Sequence, residues 1–189
     1  MSGRRAAFLD RDGTIIEDIN YIAHPSDVSL IAGAGDAIRA LNEHDVAVVV
    51  VTNQSGIARG LVTPEQYEAV CERTSEVLAA HGAHIDATYF CPHHPAVSGP
   101  CDCRKPGRLL YDRALSDLGL DGAASMFAGD RLRDVLLART FGGSAFLIRA
   151  ATTPPDEADR AAEAGAVVVG SLTDAVRRFL RTGAEAAAP

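Results

Sequence analysis

The chain has 189 residues, a hydrophobic content of 47% and a formal net charge of −7 at pH 7. That length predicts one domain, and the negative charge argues against a protein that binds nucleic acid. No apolar run reaches the roughly 18 residues of a membrane span, and the apolar run before Asp10 is too short for a signal peptide. We therefore expect a cytoplasmic monomer that has neither nucleic acid nor a membrane as its partner.

The first predicted element is a short buried strand that ends at two carboxylates. Four apolar residues, Ala6 to Leu9, run directly into Asp10, and Asp12 follows just before Gly13. Such a run is typical of a parallel strand, and open α/β sheets bind ligands outside the carboxyl ends of their strands. Repulsion between the carboxylates favours a bound divalent cation or a proton on one of them, which suits a nucleophile beside a general acid/base. An ordinary Asp-Gly turn is the alternative.

A second strand also ends in polar groups. After a polar loop over residues 15–29, a helix is predicted over Gly33 to Asn42 and a buried strand over Val46 to Val51. This strand runs into Thr52, Asn53, Gln54, Ser55 and Gly56. Hydroxyl, amide and backbone N–H groups at a strand end can bind an anion, although a polar turn between a strand and a helix would have the same composition.

The next helix has a clear start. Thr63 can cap it, Pro64 suits its first turn, and Gln66 stands three residues after the cap, where it completes a capping box. We predict that this helix runs to about Ala80 and that a third strand follows over Ile85 to Phe90.

Cysteine usage indicates a metal site. Three cysteines and one histidine lie close together as Cys91, His93, Cys101 and Cys103. This set matches a closed tetrahedral zinc site, which we predict to be structural because it leaves no open position. Unpaired surface thiols are the alternative, and His94 could replace His93 as the ligand. The fourth cysteine, Cys71, is predicted to be a small buried residue within the preceding helix.

Lys105 is the only lysine of the chain, and the other 17 of its 18 lysine and arginine residues are arginine. The two side chains are not interchangeable at a tight phosphate site, because lysine is a compact point charge and arginine a planar fork. We therefore predict that Lys105 has a functional role.

The last third of the chain continues to alternate strands with helices. Predicted helices cover Arg108 to Leu118 and Leu172 to Leu180, and predicted strands cover Ala124 to Ala128, Ser144 to Ile148 and Ala166 to Val169. We expect a Rossmann-like, three-layer α/β fold with a mainly parallel sheet, a zinc-bound loop and no large cap domain. This single domain would span residues 1–182, and residues 183–189 would form a disordered tail.

Asp130 adds a third carboxylate to the predicted site. It follows the fourth predicted strand, so it can join Asp10 and Asp12 around a cation. Oxygen ligands beside a phosphate favour Mg²⁺, and Asp134, one helical turn further on, can support the site. Asp130 could instead, or in addition, cap the following helix.

Four separated motifs, LDRDGT, TNQ, RKP and AGDRLRD, resemble the haloacid dehalogenase superfamily of phosphatases. More closely, FLDRDGT, VVVTNQSGIARG and CPHHP…CDCRKP are similar to zinc-containing D-glycero-D-manno-heptose-1,7-bisphosphate phosphatases, which are related to histidinol-phosphate phosphatases. The resemblance covers roughly residues 6 to 180. It implies a Mg²⁺-dependent enzyme that removes the 7-phosphate of a heptose 1,7-bisphosphate, a small phosphorylated sugar.

The resemblance also implies a role for each matching residue. Asp10 would attack phosphorus and become an aspartyl-phosphate, and Asp12 would protonate the leaving sugar oxygen and then activate water. Mg²⁺ would be held by the Asp10 side chain, the Asp12 carbonyl oxygen and the Asp130 side chain. The phosphate-binding residues would be Thr52, Asn53, Gln54 and Lys105. The second phosphate or the sugar would meet Arg59, Arg104 or Arg131.

The chain departs from this family at two places that we expect to border the substrate pocket. Ile19 and Asn20 replace a motif that usually contains glycine, and Arg108 and Leu109 replace a common Pro-Gly pair. These changes leave the substrate open, with histidinol phosphate as the alternative. A non-catalytic, zinc-stabilised binding module is a further alternative, which the intact catalytic motifs argue against. Small loops that leave water free to reach the intermediate argue against a phosphotransferase or mutase.

Overall fold

A six-stranded, all-parallel sheet forms the centre of the computed structural model, which describes residues 3–151 and 153–186. Its strands are β1 (Ala6–Leu9), β2 (Ala47–Asn53), β3 (Ala87–Cys91), β4 (Met126–Gly129), β5 (Ser144–Ile148) and β6 (Val167–Val169). They lie in the order β3-β2-β1-β4-β5-β6. This order reverses beside β1, and ligands of such sheets bind at that point of reversal. The predicted Rossmann-like α/β fold is therefore confirmed.

Helices surround this sheet. They are α1 (Ala34–Glu43), α2 (Ser55–Ala58), α3 (Pro64–Ala79), α4 (Pro95–Ser98), α5 (Leu109–Leu118), α6 (Leu132–Val135), α7 (Ala138–Phe141), α8 (Pro155–Glu163) and α9 (Leu172–Ala186). A single turn of 3₁₀ helix covers Pro25–Asp27. No helix in the described part of the chain is long and apolar enough to cross a membrane.

The two faces of β1 pack into two separate cores. Ala7 and Leu9 belong to a core with α1, α3 and α9, whereas Ala6 and Phe8 belong to a core with α5, α6 and α8. Successive side chains of a strand point to opposite faces, so a strand that is buried on both faces must be apolar throughout. The four residues of β1 are accordingly all buried, which fixes the strand end that precedes Asp10.

Several predicted elements have the expected positions. Strands β1 and β5 have the predicted bounds, and the capping box of α3 is present, with Thr63 Oγ1 accepting from Gln66 N and Gln66 Oε1 accepting from Thr63 N. Two segments differ. The loop over residues 15–29 is not uniformly polar, because Ile15 and Ile16 are fully buried. The closing helix continues to Ala186, beyond the predicted start of the tail, and residues 187–189 lie outside the described residues.

Asp130 does not cap the helix that follows it. Helix α6 is preceded by Arg131, and the Asp134 carboxylate accepts a hydrogen bond of 3.0 Å from the Arg131 backbone N–H. A carboxylate within the first helical turn thus satisfies this N–H group. Asp130 lines the cleft.

Candidate active site

Polar side chains from three neighbouring strands meet at the carboxyl edge of the sheet. Asp10 follows β1, Thr52 lies in β2, and Asp130 follows β4. Because β1 pairs with both β2 and β4 in parallel, their carboxyl ends lie side by side. These residues line a cleft of about 240 Å³. The same cleft is also lined by the predicted site residues Asp12, Asn53, Gln54, Arg104 and Arg131.

Lys105 reaches the floor of this site and is only 3% exposed. Its Nζ lies 3.0 Å from Asp10 Oδ1 and 2.7 Å from Asp134 Oδ1, and it donates a hydrogen bond of 2.6 Å to the Val51 carbonyl oxygen. Burial alone would lower the pKa of Lys105, but Asp10 and Asp134 outweigh burial and raise that pKa above its usual value. The ammonium group beside Asp10 is therefore fully charged.

Asn53 fixes the backbone of Lys105. Its Oδ1 accepts a hydrogen bond of 2.9 Å from the Lys105 backbone N–H, and its Nδ2 donates one of 3.3 Å to the Lys105 carbonyl oxygen. Two hydrogen bonds between one side-chain amide and the backbone of one residue hold the loop against the end of β2. Asn53 thus positions the lysine, while its predicted binding of phosphate stays a prediction.

Three carboxylates form a compact group at the carboxyl ends of β1 and β4. Oxygen atoms of Asp10, Asp130 and Asp134 lie within 4.8 Å of one another. Burial, together with the charges of Asp10 and Asp134, raises the pKa of Asp130 to about 7. Gly13 keeps the space beside Asp130 open, since it has φ +79° and a Cβ atom there would lie 2.7 Å from Asp130 Oδ2. Hard oxygen donors crowded in this way suit Mg²⁺.

Asp12 is held by donors from two side chains. Arg11 Nε lies 3.0 Å from Asp12 Oδ1, and Arg11 Nη2 donates to Asp12 Oδ2 over 3.1 Å. Gln54 Nε2 donates to the same Oδ2 over 2.7 Å and lies 3.0 Å from Thr52 Oγ1. The amide of Gln54, which was predicted to bind phosphate, therefore contacts Asp12. Arg11 was not predicted as a site residue, because no spacing signal shows that neighbouring side chains pair.

Three arginines give the cleft its positive charge. Arg104 donates to the His93 carbonyl oxygen over 3.2 Å, and Arg131 donates to the Glu157 carboxylate over 3.3 Å and 3.4 Å. Arg133, which sequence reasoning missed, lines the same cleft. Arg133 stands two residues after Arg131, which was predicted as a site residue, and this spacing was the signal that could have indicated Arg133 as well.

The rim of the cleft includes the segment that departs from the resembled family. Asn20 and Tyr21 line the cleft, and both have left-handed backbone angles, with φ of 61° and 52°. Arg59 does not line the cleft; it donates a hydrogen bond of 2.5 Å to the Tyr21 hydroxyl. Arg108 and Leu109, which we expected to border the substrate pocket, do not line this cleft; they line a neighbouring depression beside Cys101 that shares Arg104 with the cleft.

The three cysteines and the histidine come together as one cluster. Cys103 Sγ lies 3.0 Å from Cys91 Sγ, 3.5 Å from Cys101 Sγ and 3.2 Å from His93 Nδ1. None of these thiols forms a disulfide. His94 stands apart, because its Nδ1 accepts a hydrogen bond from a backbone N–H. Four soft or borderline donors around one point suit a closed zinc site, in a loop that continues directly into Lys105.

Comparison with known proteins places this geometry among phosphatases. Residues 102–175 match a model of HAD-hydrolase-like proteins. The D-glycero-β-D-manno-heptose-1,7-bisphosphate 7-phosphatase of Haemophilus ducreyi is 38% identical to this chain, and the match covers 92% of this chain and 97% of that protein. The enzyme of the same name from Escherichia coli K12 is 41% identical, and the match covers 89% of this chain and 90% of that protein. The crystal structure of D,D-heptose 1,7-bisphosphate phosphatase from B. bronchiseptica, complexed with magnesium and phosphate, is 29% identical with a TM-score of 0.80, covering 94% of this chain and 99% of that one.

Proposed function

Because the chain belongs to the family of D-glycero-β-D-manno-heptose-1,7-bisphosphate 7-phosphatases, we propose that it hydrolyses the 7-phosphate of this sugar. The products are heptose 1-phosphate and inorganic phosphate. One observation carries the proposal: a buried, charged Lys105 lies 3.0 Å from Asp10 at the floor of a cleft that Asp12 and Asp130 also line. Phosphoryl transfer depends mainly on such positioned charge around a nucleophile.

In the first step, a carboxylate oxygen of Asp10 attacks the phosphorus of the 7-phosphate. The bond between phosphorus and the sugar oxygen breaks, and Asp12 gives its proton to that oxygen as it leaves. The Lys105 ammonium stabilises the negative charge on the transferring group. Thr52 and Asn53, at the same strand end, add polar contacts to that group.

In the second step, water attacks the phosphorus of the aspartyl-phosphate. Asp12 accepts a proton from this water, the bond between phosphorus and Asp10 breaks, and phosphate leaves. Both carboxylates return to their starting states, so one water molecule is consumed in each cycle.

The carboxylates also support a magnesium site. Asp10 and Asp130 would bind Mg²⁺ through their side chains and Asp12 through its carbonyl oxygen, while Asp134 would stay paired with Lys105. When bound, the ion supplies positive charge to the phosphoryl oxygens. For the second phosphate of the substrate, Arg104 and Arg131 offer cationic groups.

Zinc would have a structural role in this proposal. Cys91, His93, Cys101 and Cys103 would bind it as a closed site, so the ion orders the loop that leads into Lys105. The proposal also includes a single domain over residues 1–182 that acts as a monomer on its small sugar substrate.

The test is phosphate release by the purified protein with Mg²⁺, comparing both anomers of the heptose bisphosphate with histidinol phosphate. We expect the highest kcat/KM with the β-anomer, and a loss of turnover in Asp10→Asn. Asp36→Asn makes the same substitution on the exposed side of α1 and should keep full activity. A preference for histidinol phosphate would overturn the proposed substrate, and substantial activity in Asp10→Asn would overturn the proposed nucleophile.

A further inference from the structure

Arg11 is a buried charge to which the reaction above gives no task. Arg11 stands between Asp10 and Asp12 in the sequence, and only 2% of its surface is exposed to solvent. Removing a guanidinium group from water is costly, and buried arginines are rare unless they are paired. Its burial beside Asp12, which lines the cleft, therefore suggests that its contacts serve a purpose.

The guanidinium group of Arg11 donates two hydrogen bonds to Asp12. The Nε and Nη2 atoms form a fork on the two carboxylate oxygens, at 3.0 Å and 3.1 Å. Gln54 Nε2 adds a third donor, 2.7 Å from Asp12 Oδ2. A bidentate guanidinium fixes the plane of a carboxylate as well as its position. The carboxylate is therefore oriented although its side chain is 22% exposed to the cleft.

The same guanidinium group also contacts helix α3. Its guanidinium carbon lies 5.3 Å from the centre of the Tyr67 ring, and its Nη1 lies 3.7 Å from Cys71 Sγ. A guanidinium over an aromatic face is held by a cation–π interaction. Tyr67 is itself 4% exposed and packs on Phe90 with ring centres 4.3 Å apart. Arg11 thus links a capped, sixteen-residue helix to a carboxylate at the turn after β1.

From these contacts, we propose that Arg11 is the positioning residue for Asp12. It holds the carboxyl group of Asp12 where, in the protonated state, it can give its proton to the leaving sugar oxygen, and Tyr67 holds Arg11. The proposal rests on the function proposed above, in which Asp12 is the proton donor. Positioning matters because a misplacement of about 1 Å can reduce a rate by about 100-fold.

A positioning role predicts that the loss depends on the leaving group. A sugar alkoxide needs a proton as it leaves, whereas p-nitrophenolate is stable as an anion. Because the later attack by water also uses Asp12 and is common to both substrates, the difference lies in the first step: a displaced Asp12 should slow release of the leaving group in a single turnover far more for the heptose bisphosphate than for p-nitrophenyl phosphate. A general loss of structure, or of phosphate binding, would slow both substrates alike.

The test is Arg11→Lys, which keeps the charge but cannot form the fork. We expect the single-turnover rate of heptose 1-phosphate release to fall by about 10- to 100-fold, a part of the usual effect of general acid catalysis. For release of p-nitrophenolate in a single turnover we expect a change of less than about threefold, since the anion leaves without a proton. Arg73→Lys, on the exposed side of α3, is the matched control. A urea unfolding curve for each variant shows whether it is folded, and Arg11→Gln, which carries no buried charge, replaces Arg11→Lys if that variant does not fold.

A double-variant cycle decides whether Arg11 acts through Asp12. In an Asp12→Asn background, Arg11→Lys should cost less than about threefold, because coupled residues are not additive. Equal losses of the single-turnover rate on both substrates, or the full loss in the Asp12→Asn background, would overturn the proposal. If the wild type hydrolyses p-nitrophenyl phosphate but not the heptose bisphosphate, only the proposed substrate fails, and another alkyl phosphate that it hydrolyses replaces the bisphosphate. A wild type that hydrolyses no alkyl phosphate would overturn both.

Discussion

Replacing Lys105 with methionine removes the positive charge from a buried group of carboxylates. The ammonium lies 3.0 Å from Asp10 and 2.7 Å from Asp134, and Lys105 is only 3% exposed. Methionine has a similar length, so the substitution leaves little empty space and mainly tests the charge. The two carboxylates that remain repel each other in a site with little access to water.

The expected loss of folding free energy is large for a single substitution. Removing one partner of a buried ion pair typically costs about 3–5 kcal/mol, because the other charge stays buried without compensation. A domain of this kind has about 5–15 kcal/mol of stability in total, so Lys105→Met should remain folded with a much lower urea midpoint. Added Mg²⁺ should restore more stability to the variant than to the wild type, since it supplies positive charge to the same carboxylates.

The assay is urea unfolding followed by circular dichroism, in EDTA and then in Mg²⁺. Adding Asp134→Asn to Lys105→Met should recover part of the loss, because it removes one of the repelling charges. Arg73→Met, on the exposed side of α3, is the control and should change stability by less than about 0.5 kcal/mol. A Lys105→Met variant within about 1 kcal/mol of the wild type would refute the reasoning about the buried pair.

Two further predictions concern the metal sites. Cys101→Ser should lower the zinc content of the purified protein well below one equivalent and reduce its unfolding temperature. Cys71→Ser, outside the cluster, is the control and should keep the metal. Unchanged zinc in Cys101→Ser would contradict the assigned ligands. Burial and neighbouring carboxylates raise the pKa of Asp130 to about 7 in the folded protein. The contribution of Asp130 to the free energy of unfolding is therefore fully present below the pKa that it has in the unfolded chain, and it is lost as the pH rises to about 7. In EDTA, Asp130→Asn should therefore gain about 2–3 kcal/mol of stability relative to the wild type between about pH 5 and pH 8, and parallel pH profiles in urea unfolding would count against this.

The sequence predicts the inner strands of the sheet well because they are largely buried on both faces. The bounds of β1 and β5 follow from short apolar runs, and the start of α3 follows from the chemistry of its cap. Helix α8 has no comparable signal, since only Ala158 and Ala161 are buried on it. Two small residues do not produce the periodic large apolar pattern from which a helix is predicted. Helices of four residues, such as α2 (Ser55–Ala58), are too short to show a period.

For the candidate site, the sequence predicts which residues meet but not how each side chain is used. The carboxylates converge because parallel strands end at one edge, a property of the backbone. The direction of a side chain depends on rotamers and neighbours that spacing does not reveal. Gln54 accordingly donates to Asp12, and Arg59 pairs with Tyr21 at the rim. Arg11 stands inside the LDRDGT motif, which assigned it no role, and together with Gln54 it donates hydrogen bonds to Asp12.

The single lysine of the chain has a consequence for chemical labelling. Apart from Lys105, the lysine and arginine residues of the chain are all arginine, and Lys105 is buried beneath the cleft. A reagent that acylates lysine amines therefore finds no lysine on the surface and reacts at Lys105 only when the loop around it opens. The rate of acylation at this one position would measure how often that loop opens, and bound phosphate should slow it.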